Sequence, residues 1–443
     1  MYFLYSVLLT LGLAALLPRF ILDAWRHGKY VAGLRERLGI LPAFDANNRP
    51  VIWLHAASVG EAQAARTLVR ALLDKYPAHA LVVSTITLTG QRVAREAFGR
   101  DAALVFYFPF DWAWSVRRAL RHINPSVVLI METELWPRFL RECSQRAIPI
   151  ALVNGRLSER SMRGYRRLGK FVERMVNDLT LALMQTKEDA ARIAALGLAG
   201  ERIAVSGNIK FDAQDEPGEG SLTADLRARF QFTGARPLLV AASTHAPEER
   251  ITLEAFKEIW RASPVDERPR LLIAPRHPER FNEVAALFAS HKLSWTRRTH
   301  APATLDATCD VVLLDSIGEL RAVYTLARIV FVGGSIAQTG GHNILEPAAA
   351  GTCIVTGAHT QNFAAIIKAF QAQDALVQLP TMPEAEVPRV LANVLTELLA
   401  NDERRETLAR NARTVFEQNQ GATKRTLELL APLFDSPVKV TSL

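Results

Sequence analysis

From Pro50 onward the chain repeats one pattern: a short apolar run, a few polar or small residues, then a longer stretch of helical periodicity. The runs are Val51–Leu54, Leu81–Val83, Leu104–Phe106, Val127–Ile130, Ile150–Val153, Leu181–Leu183 and Ile203–Val205. Short, continuously apolar runs are the mark of strands buried on both faces of a parallel sheet. Their spacing leaves room for a crossover helix between successive strands. The pattern breaks at Asp212–Thr223, which is polar and acidic around Glu216-Pro-Gly-Glu-Gly220 and reads as an interdomain loop, with a helix or loop bridge on to Phe232. It restarts at Leu238–Val240 and continues through Leu271–Ile273, Val311–Leu314, Ile329–Val332 and Ile354–Val355, followed by helical sequence from Glu384 to Leu430. The expectation is an α/β protein with two Rossmann-like domains, residues 23–211 and 233–443, joined by a linker at 212–232 and facing each other across a cleft.

The N-terminus departs from this pattern. Tyr2–Leu17 carries no charge, and Arg19, Arg26, Lys29, Arg35 and Arg37 follow it. A secretory signal carries its positive charge before the apolar stretch, and the positive-inside rule keeps such a basic flank in the cytoplasm. A spanning helix takes about 20 apolar residues. Residues 1–22 therefore read as a short uncleaved anchor, spanning the membrane or lying in its interface. The three cysteines, Cys143, Cys309 and Cys353, have neither zinc nor redox spacing and suit a reducing compartment. A net charge of +8 favours acidic partners such as nucleotides, phosphorylated glycolipids or an anionic membrane. From Arg156 to Arg174 seven basic residues face two acidic ones, a spacing that suits a positive helical surface against lipid phosphates. No aromatic interleaving or nucleic-acid reader module accompanies them.

Ligands of open α/β sheets bind beyond the carboxyl ends of the strands, and reactive residues collect there. His55-Ala-Ala-Ser-Val-Gly-Glu61 follows the first run and opens a helix. Ser58 and Glu61 have capping-box spacing, with the carboxylate bonding back to the N-cap amide. A carboxylate there also suits a general base, with the helix dipole lowering its pKa. Met131-Glu-Thr-Glu134 puts Glu132 and Glu134 at strand spacing on one side, with Lys210 or Arg156 as a partner cation. Lys210, in Gly207-Asn-Ile-Lys-Phe-Asp212, suits a developing negative charge. In the second half, Ser243 and His245 stand at a strand end, and Arg276-His277 in Pro275–Arg280 suit a phosphate or carboxylate. Gly333-Gly-Ser335 and Gly340-Gly-His-Asn-Ile-Leu-Glu-Pro347 let backbone amides approach phosphate. Neither is a dinucleotide fingerprint or a Walker loop.

Taken in order, these strings resemble the 3-deoxy-D-manno-oct-2-ulosonic acid (Kdo) transferases of lipopolysaccharide assembly. The matches are His55–Glu61, Met131–Pro137, Arg156–Ser161, Gly207–Asp212, Ala242–His245, Pro275–Phe281, Gly318–Leu320 and Gly340–Pro347. The resemblance implies a GT-B fold, CMP-Kdo as donor, a lipid A precursor as acceptor, and no metal or other cofactor. It places Glu61 on the general base and Glu132 and Lys210 on transition-state support. It places Arg276, His277, Ile317, Gly318, Glu319, Asn343, Ile344, Leu345 and Glu346 on the CMP site. It also implies the cytoplasmic face of the inner membrane. The chain departs from the family pattern at Ile344 and Leu88, where proline is expected, and at Gly155, where alanine is usual. On the residues alone, another nucleotide-sugar transferase or epimerase, or a membrane-tethered glycolipid-binding protein, fits as well.

Overall fold

The computed structural model describes residues 1–27, 33–212, 219–232 and 236–435, with side chains at all of these except 16–27, 219 and 435. It divides into two units, one of residues 1–213 with 420–443, the other of residues 214–419.

The first unit holds a seven-stranded parallel sheet: β1 (Val51–His55), β2 (Ala80–Thr85), β3 (Ala102–Tyr107), β4 (Val127–Met131), β5 (Ile150–Gly155), β6 (Leu181–Met184) and β7 (Ile203–Val205). Their order is β3-β2-β1-β4-β5-β6-β7, so it reverses between β1 and β4. Each expected run is a strand. β1, β2, β4 and β5 are buried at every position, because helices cover both faces. One face packs Trp53, Phe106, Phe108 and Phe139 together. On the other, the helix Val59–Lys75 buries Ala62, Ala65, Leu68, Val69 and Leu72 at helical spacing.

The second unit holds β8 (Leu238–Thr244), β9 (Arg270–Pro275), β10 (Trp295–Arg297), β11 (Val311–Leu313), β12 (Ile329–Val332), β13 (Cys353–Thr356) and β14 (Val377–Gln378). The order is β10-β11-β9-β8-β12-β13-β14, reversing between β8 and β12. All five expected runs are strands. The edges β10 and β14 are additional, with lengths of three and two residues.

Two expected boundaries change. Residues 213–218 of the expected linker lie outside the described residues, but Glu219–Phe230 is a helix of the second unit. Its Leu226 and Phe230 are fully buried, and its Arg229 pairs with Asp306 at 2.8 Å. The last helix, Ala422–Asp435, belongs to the first unit and not to the second. Asp212 accepts the backbone N–H of Gly421 (2.7 Å) and of Thr423 at its start, which suits a carboxylate at a helix N-terminus. Arg425 donates to the Ser206 carbonyl. Leu430 is fully buried, and Phe434 stacks on Tyr76 at 4.2 Å, against the helix that carries Glu61.

The N-terminal helix Tyr2–His27 docks on the first unit through its described side chains. Tyr2 donates to Asp178 (2.8 Å), Tyr5 donates to Asp111 (2.9 Å), and both rings pack on Phe171. Phe3, Leu4, Val7, Leu8 and Leu11 remain exposed. Among the described residues no helix is long and apolar enough to cross a membrane.

Candidate active site

In the first unit the reactive side chains meet where the strand order reverses, at the carboxyl ends of β1, β4 and β5 and just after β7. The chain leaves β1 through Ala56 and Ala57, and Ser58 caps the next helix by accepting from the Glu61 N–H at 3.5 Å. The Glu61 carboxylate turns back, as in a capping box, but one residue further than expected. It accepts the Ala57 N–H at 2.8 Å and the Ser58 hydroxyl at 2.9 Å. Glu61 is only 7% exposed. Burial, and then the charge of Glu132, push its carboxyl up to about 7, against the hydrogen bonds that favour ionisation. The direction is opposite to that expected from the helix dipole, because burial and the neighbouring glutamates lead.

Glu132 follows β4 in the left-handed region (φ 54°), so the strand geometry that would set the two carboxylates on one side is broken. Its carboxylate is bridged by two cations, Lys210 Nζ and Arg156 Nε, each at 2.9 Å. Both anticipated partners are used at once. Asn154, also left-handed and fully buried, accepts the Ile209 N–H and so ties the Lys210 segment to the end of β5. Glu134 accepts from Trp136 Nε1 at 3.1 Å, with burial first and then the charge of Glu132 raising its carboxyl, and it in turn adds to the upward push on Glu61. His55 is not available for chemistry. It is fully buried against Phe108 and Ser84, and burial holds it down to about 3.

In the second unit the glycine turn after β12 is already filled. The fully buried Glu248 accepts the N–H groups of Gly334 (2.7 Å), Ser335 (2.9 Å), Ile336 (2.8 Å) and Ala337 (3.1 Å), and that of His245 (2.9 Å). These amides, expected to meet a donor phosphate, hold the protein's own carboxylate. Beyond them stand His245 and His342, with His277 beside His245. Among the described residues no group of three His, Cys, Asp or Glu is arranged to hold a metal.

Residues 32–213 match the family model described as 3-Deoxy-D-manno-octulosonic-acid transferase (kdotransferase). The chain is 34% identical to a 3-deoxy-D-manno-octulosonic acid transferase of Haemophilus influenzae, over 98% of this chain and 99% of that one. The chain belongs to the Kdo transferase family. It is 33% identical to a transferase of the same description from Bordetella pertussis, over 95% of this chain and 97% of that one. It is thus a glycosyltransferase. A UDP-GlcNAc 2-epimerase of Neisseria meningitidis, solved with UDP-GlcNAc, shares the fold, with a TM-score of 0.55 at 12% identity over 87% of this chain and 100% of that one.

In this Kdo transferase the residues expected at a CMP site divide by side-chain role. Arg276 and His277 follow β9 and are exposed. Glu319 is bound by Arg298 through both oxygens at 2.9 Å and by Ser316. Against the upward push of burial, these bonds hold its carboxyl below the usual range. Ile317 is 80% exposed, and Gly318 (φ 90°) opens into free space. Asn343 donates to Glu346 at 3.1 Å and accepts from the Leu345 N–H. Ile344 and Leu345 have buried side chains, so they present only backbone. Burial of Ile344 is compatible with an apolar residue in place of the family proline. Gly155 has a local reason too: a Cβ there would lie 2.6 Å from Met184 Sδ. Glu248 is not legible in the sequence because four of its five donors lie 86 to 89 residues away. The one local hint was a pair of glutamates opening a helix after a strand-end histidine.

Proposed function

We propose that this enzyme transfers Kdo from CMP-Kdo to a sugar hydroxyl of a lipid A precursor during lipopolysaccharide assembly, with inversion at the anomeric carbon. In this reading the organisation is GT-B, with the acceptor on the first unit and the donor on the second. Glu61 takes the proton from the acceptor hydroxyl as its oxygen attacks the anomeric carbon. The bond from that carbon to the phosphate oxygen breaks, and the electron pair leaves with CMP. Lys210 and Arg156 hold Glu132 and offset negative charge as it develops. The observation that carries the reading is the buried Glu61 carboxyl, held near neutrality beside that bridged cluster, since a base works best with a pKa near the operating pH.

The N-terminal helix supports attachment to the cytoplasmic face of the inner membrane. Its exposed apolar side chains Phe3, Leu4, Leu8 and Leu11 share a unit with the stacked Trp112 and Trp114. Arg160, Arg163, Arg166, Arg167, Lys170 and Arg174 are exposed on the helices around Phe171, which the N-terminal helix touches. Apolar insertion with basic residues alongside is the chemistry of an anionic membrane surface.

The experiment is a donor panel with a tetra-acylated, phosphorylated glucosamine disaccharide as acceptor, read by product mass. CMP-Kdo gives product and UDP-sugars give none. Glu61→Gln keeps an acceptor for the Ala57 N–H and should lose roughly 10²- to 10⁴-fold in turnover. Near-normal turnover in that variant sinks the base assignment and leaves Glu61 as a cap.

A further inference from the structure

With the glycine-turn amides occupied by Glu248, a donor phosphate in the second unit must be met by other groups. The candidates lie where this sheet reverses its strand order, beyond β8 and β12. His245 Nε2 and His342 Nε2 are 2.7 Å apart, and the two rings are parallel within 6°. The contact is built in from both sides. Glu248 accepts the His245 N–H and fixes the start of that turn. His342 lies directly over Gly334, where a Cβ would come within 2.7 Å of its Cδ2 and 2.9 Å of its Nε2. The His277 ring stands edge-on to His245 at 5.0 Å.

Two ring nitrogens at this distance share one proton: with none their lone pairs repel, and with two the N–H groups collide. The pair as a whole is therefore neutral with one Nε2–H donated to the other Nε2. It can add one further proton, at the remaining free Nδ1, and then carries a single positive charge. The groups facing it set which state is held. Around His245 these are His277, Arg276 and Arg280, which oppose a positive charge, and Glu249, which favours it. Around His342 they are His245, Arg276 and His277, all opposing. Burial opposes the charge at both and leads in holding them below the ordinary histidine range, His342 to about 4. An empty site thus keeps the pair neutral, and an anion placed among Arg276, His277 and the pair reverses the balance.

We propose that His245 and His342 form a proton-sharing imidazole pair that recognises a phosphate monoester dianion, neutral in the empty site and singly protonated when the leaving nucleoside monophosphate is held. This rests on the donor reading above. In that reaction the donor phosphate is a diester monoanion. When the glycosyl C–O bond breaks, the electron pair stays on the phosphate oxygen and the product is a monoester with one more negative charge. The pair meets that added charge with a proton drawn from solvent, while the acceptor's proton passes to Glu61. Neither histidine belongs to the CMP-site positions matched above, and the inference adds both to the donor machinery.

The test is calorimetric titration of the full chain in detergent with CMP at pH 7.5, in two buffers of different ionisation enthalpy. Wild type should take up about one proton per CMP bound. The methyl phosphodiester of CMP, a monoanion, should bind without uptake. His342→Gln and His245→Gln should each lose the uptake and bind CMP about tenfold more weakly at pH 6.5, whereas His277→Gln should retain uptake. CMP binding by wild type with no buffer dependence, or uptake undiminished in both pair variants, overturns the proposal without touching the donor reading. Absence of CMP binding by wild type overturns the donor reading itself, and the pair's ligand with it.

Discussion

A buried carboxyl that resists ionisation leaves a signature in stability as well as in rate. In the unfolded chain Glu61 loses its proton near 4.5, whereas in the folded protein it keeps it up to about 7. Its folded pKa is raised, so its favourable contribution is complete below the unfolded value and is lost as pH rises through the folded one. At 1.36 kcal/mol per pKa unit, this amounts to roughly 3 kcal/mol of lost stability by pH 8. Glu61→Gln removes the ionisation and keeps an acceptor for the Ala57 N–H. The variant's stability relative to wild type should therefore climb from pH 4.5 to pH 7.5, by up to about 1.4 kcal/mol per pH unit. Any fixed offset from an imperfect cap leaves that slope intact. The assay is denaturant unfolding of both proteins at several pH values, following the transition of the first unit by tryptophan fluorescence, with Trp53 at the core of that unit. The same ionisation should appear as an acid limb near pH 7 in kcat/KM of wild type, because the base must be charged. A stability difference that is flat with pH, or falls as pH rises, refutes the claim that burial and Glu132 hold this carboxyl up.

Three further outcomes follow from the site and the N-terminal helix. Lys210→Met leaves Glu132 with Arg156 alone, so less of its charge is offset. The acid limb of kcat/KM should move above 7 and kcat fall by about 10- to 100-fold, and an unmoved limb counts against the coupling. Glu248→Ala strips the acceptor from five backbone N–H groups. It should destabilise the second unit by on the order of 3 kcal/mol or more, and an unchanged Tm for that unit refutes the internal-anion role. Phe3→Glu with Leu8→Glu should abolish co-sedimentation with anionic vesicles at physiological salt while turnover on a detergent-dispersed acceptor survives. Undiminished sedimentation refutes a membrane contact through this helix.

The strands are legible because burial on both faces leaves their central positions apolar. β1 and β4 carry no polar residue before their last positions and could be placed to within a residue or two. β10 and β14 were not, since Trp295-Thr-Arg297 and Val377-Gln378 are edge strands with polar residues and too few positions to show a period. Periodicity does not tell which unit holds the last helix, because it reports a buried face and not what buries it. Asp212, Tyr76, Lys75 and Ser206, all of the first unit, are among the partners that decide that. The site divides in the same way. Glu61, Glu132 and Lys210 were visible as strand-end residues, and Glu132 does hold Lys210. The Glu61 charge state was not, because desolvation and the approach of Glu132 arise only when distant segments meet. Glu248 was invisible for the same reason: its five donors come from two separate turns.

The return of Ala422–Asp435 to the first unit fixes an order of events during synthesis. The whole of Gln214–Asn419 leaves the ribosome before the helix that covers Val59–Lys75 exists. The second unit is an uninterrupted segment and can close while the first still shows the apolar surface that Leu427, Leu430 and Phe434 later cover. Such a surface invites misassociation in a nascent chain. Glu61 sits on the helix that this last segment covers, so its surroundings are complete only after the second unit has been made.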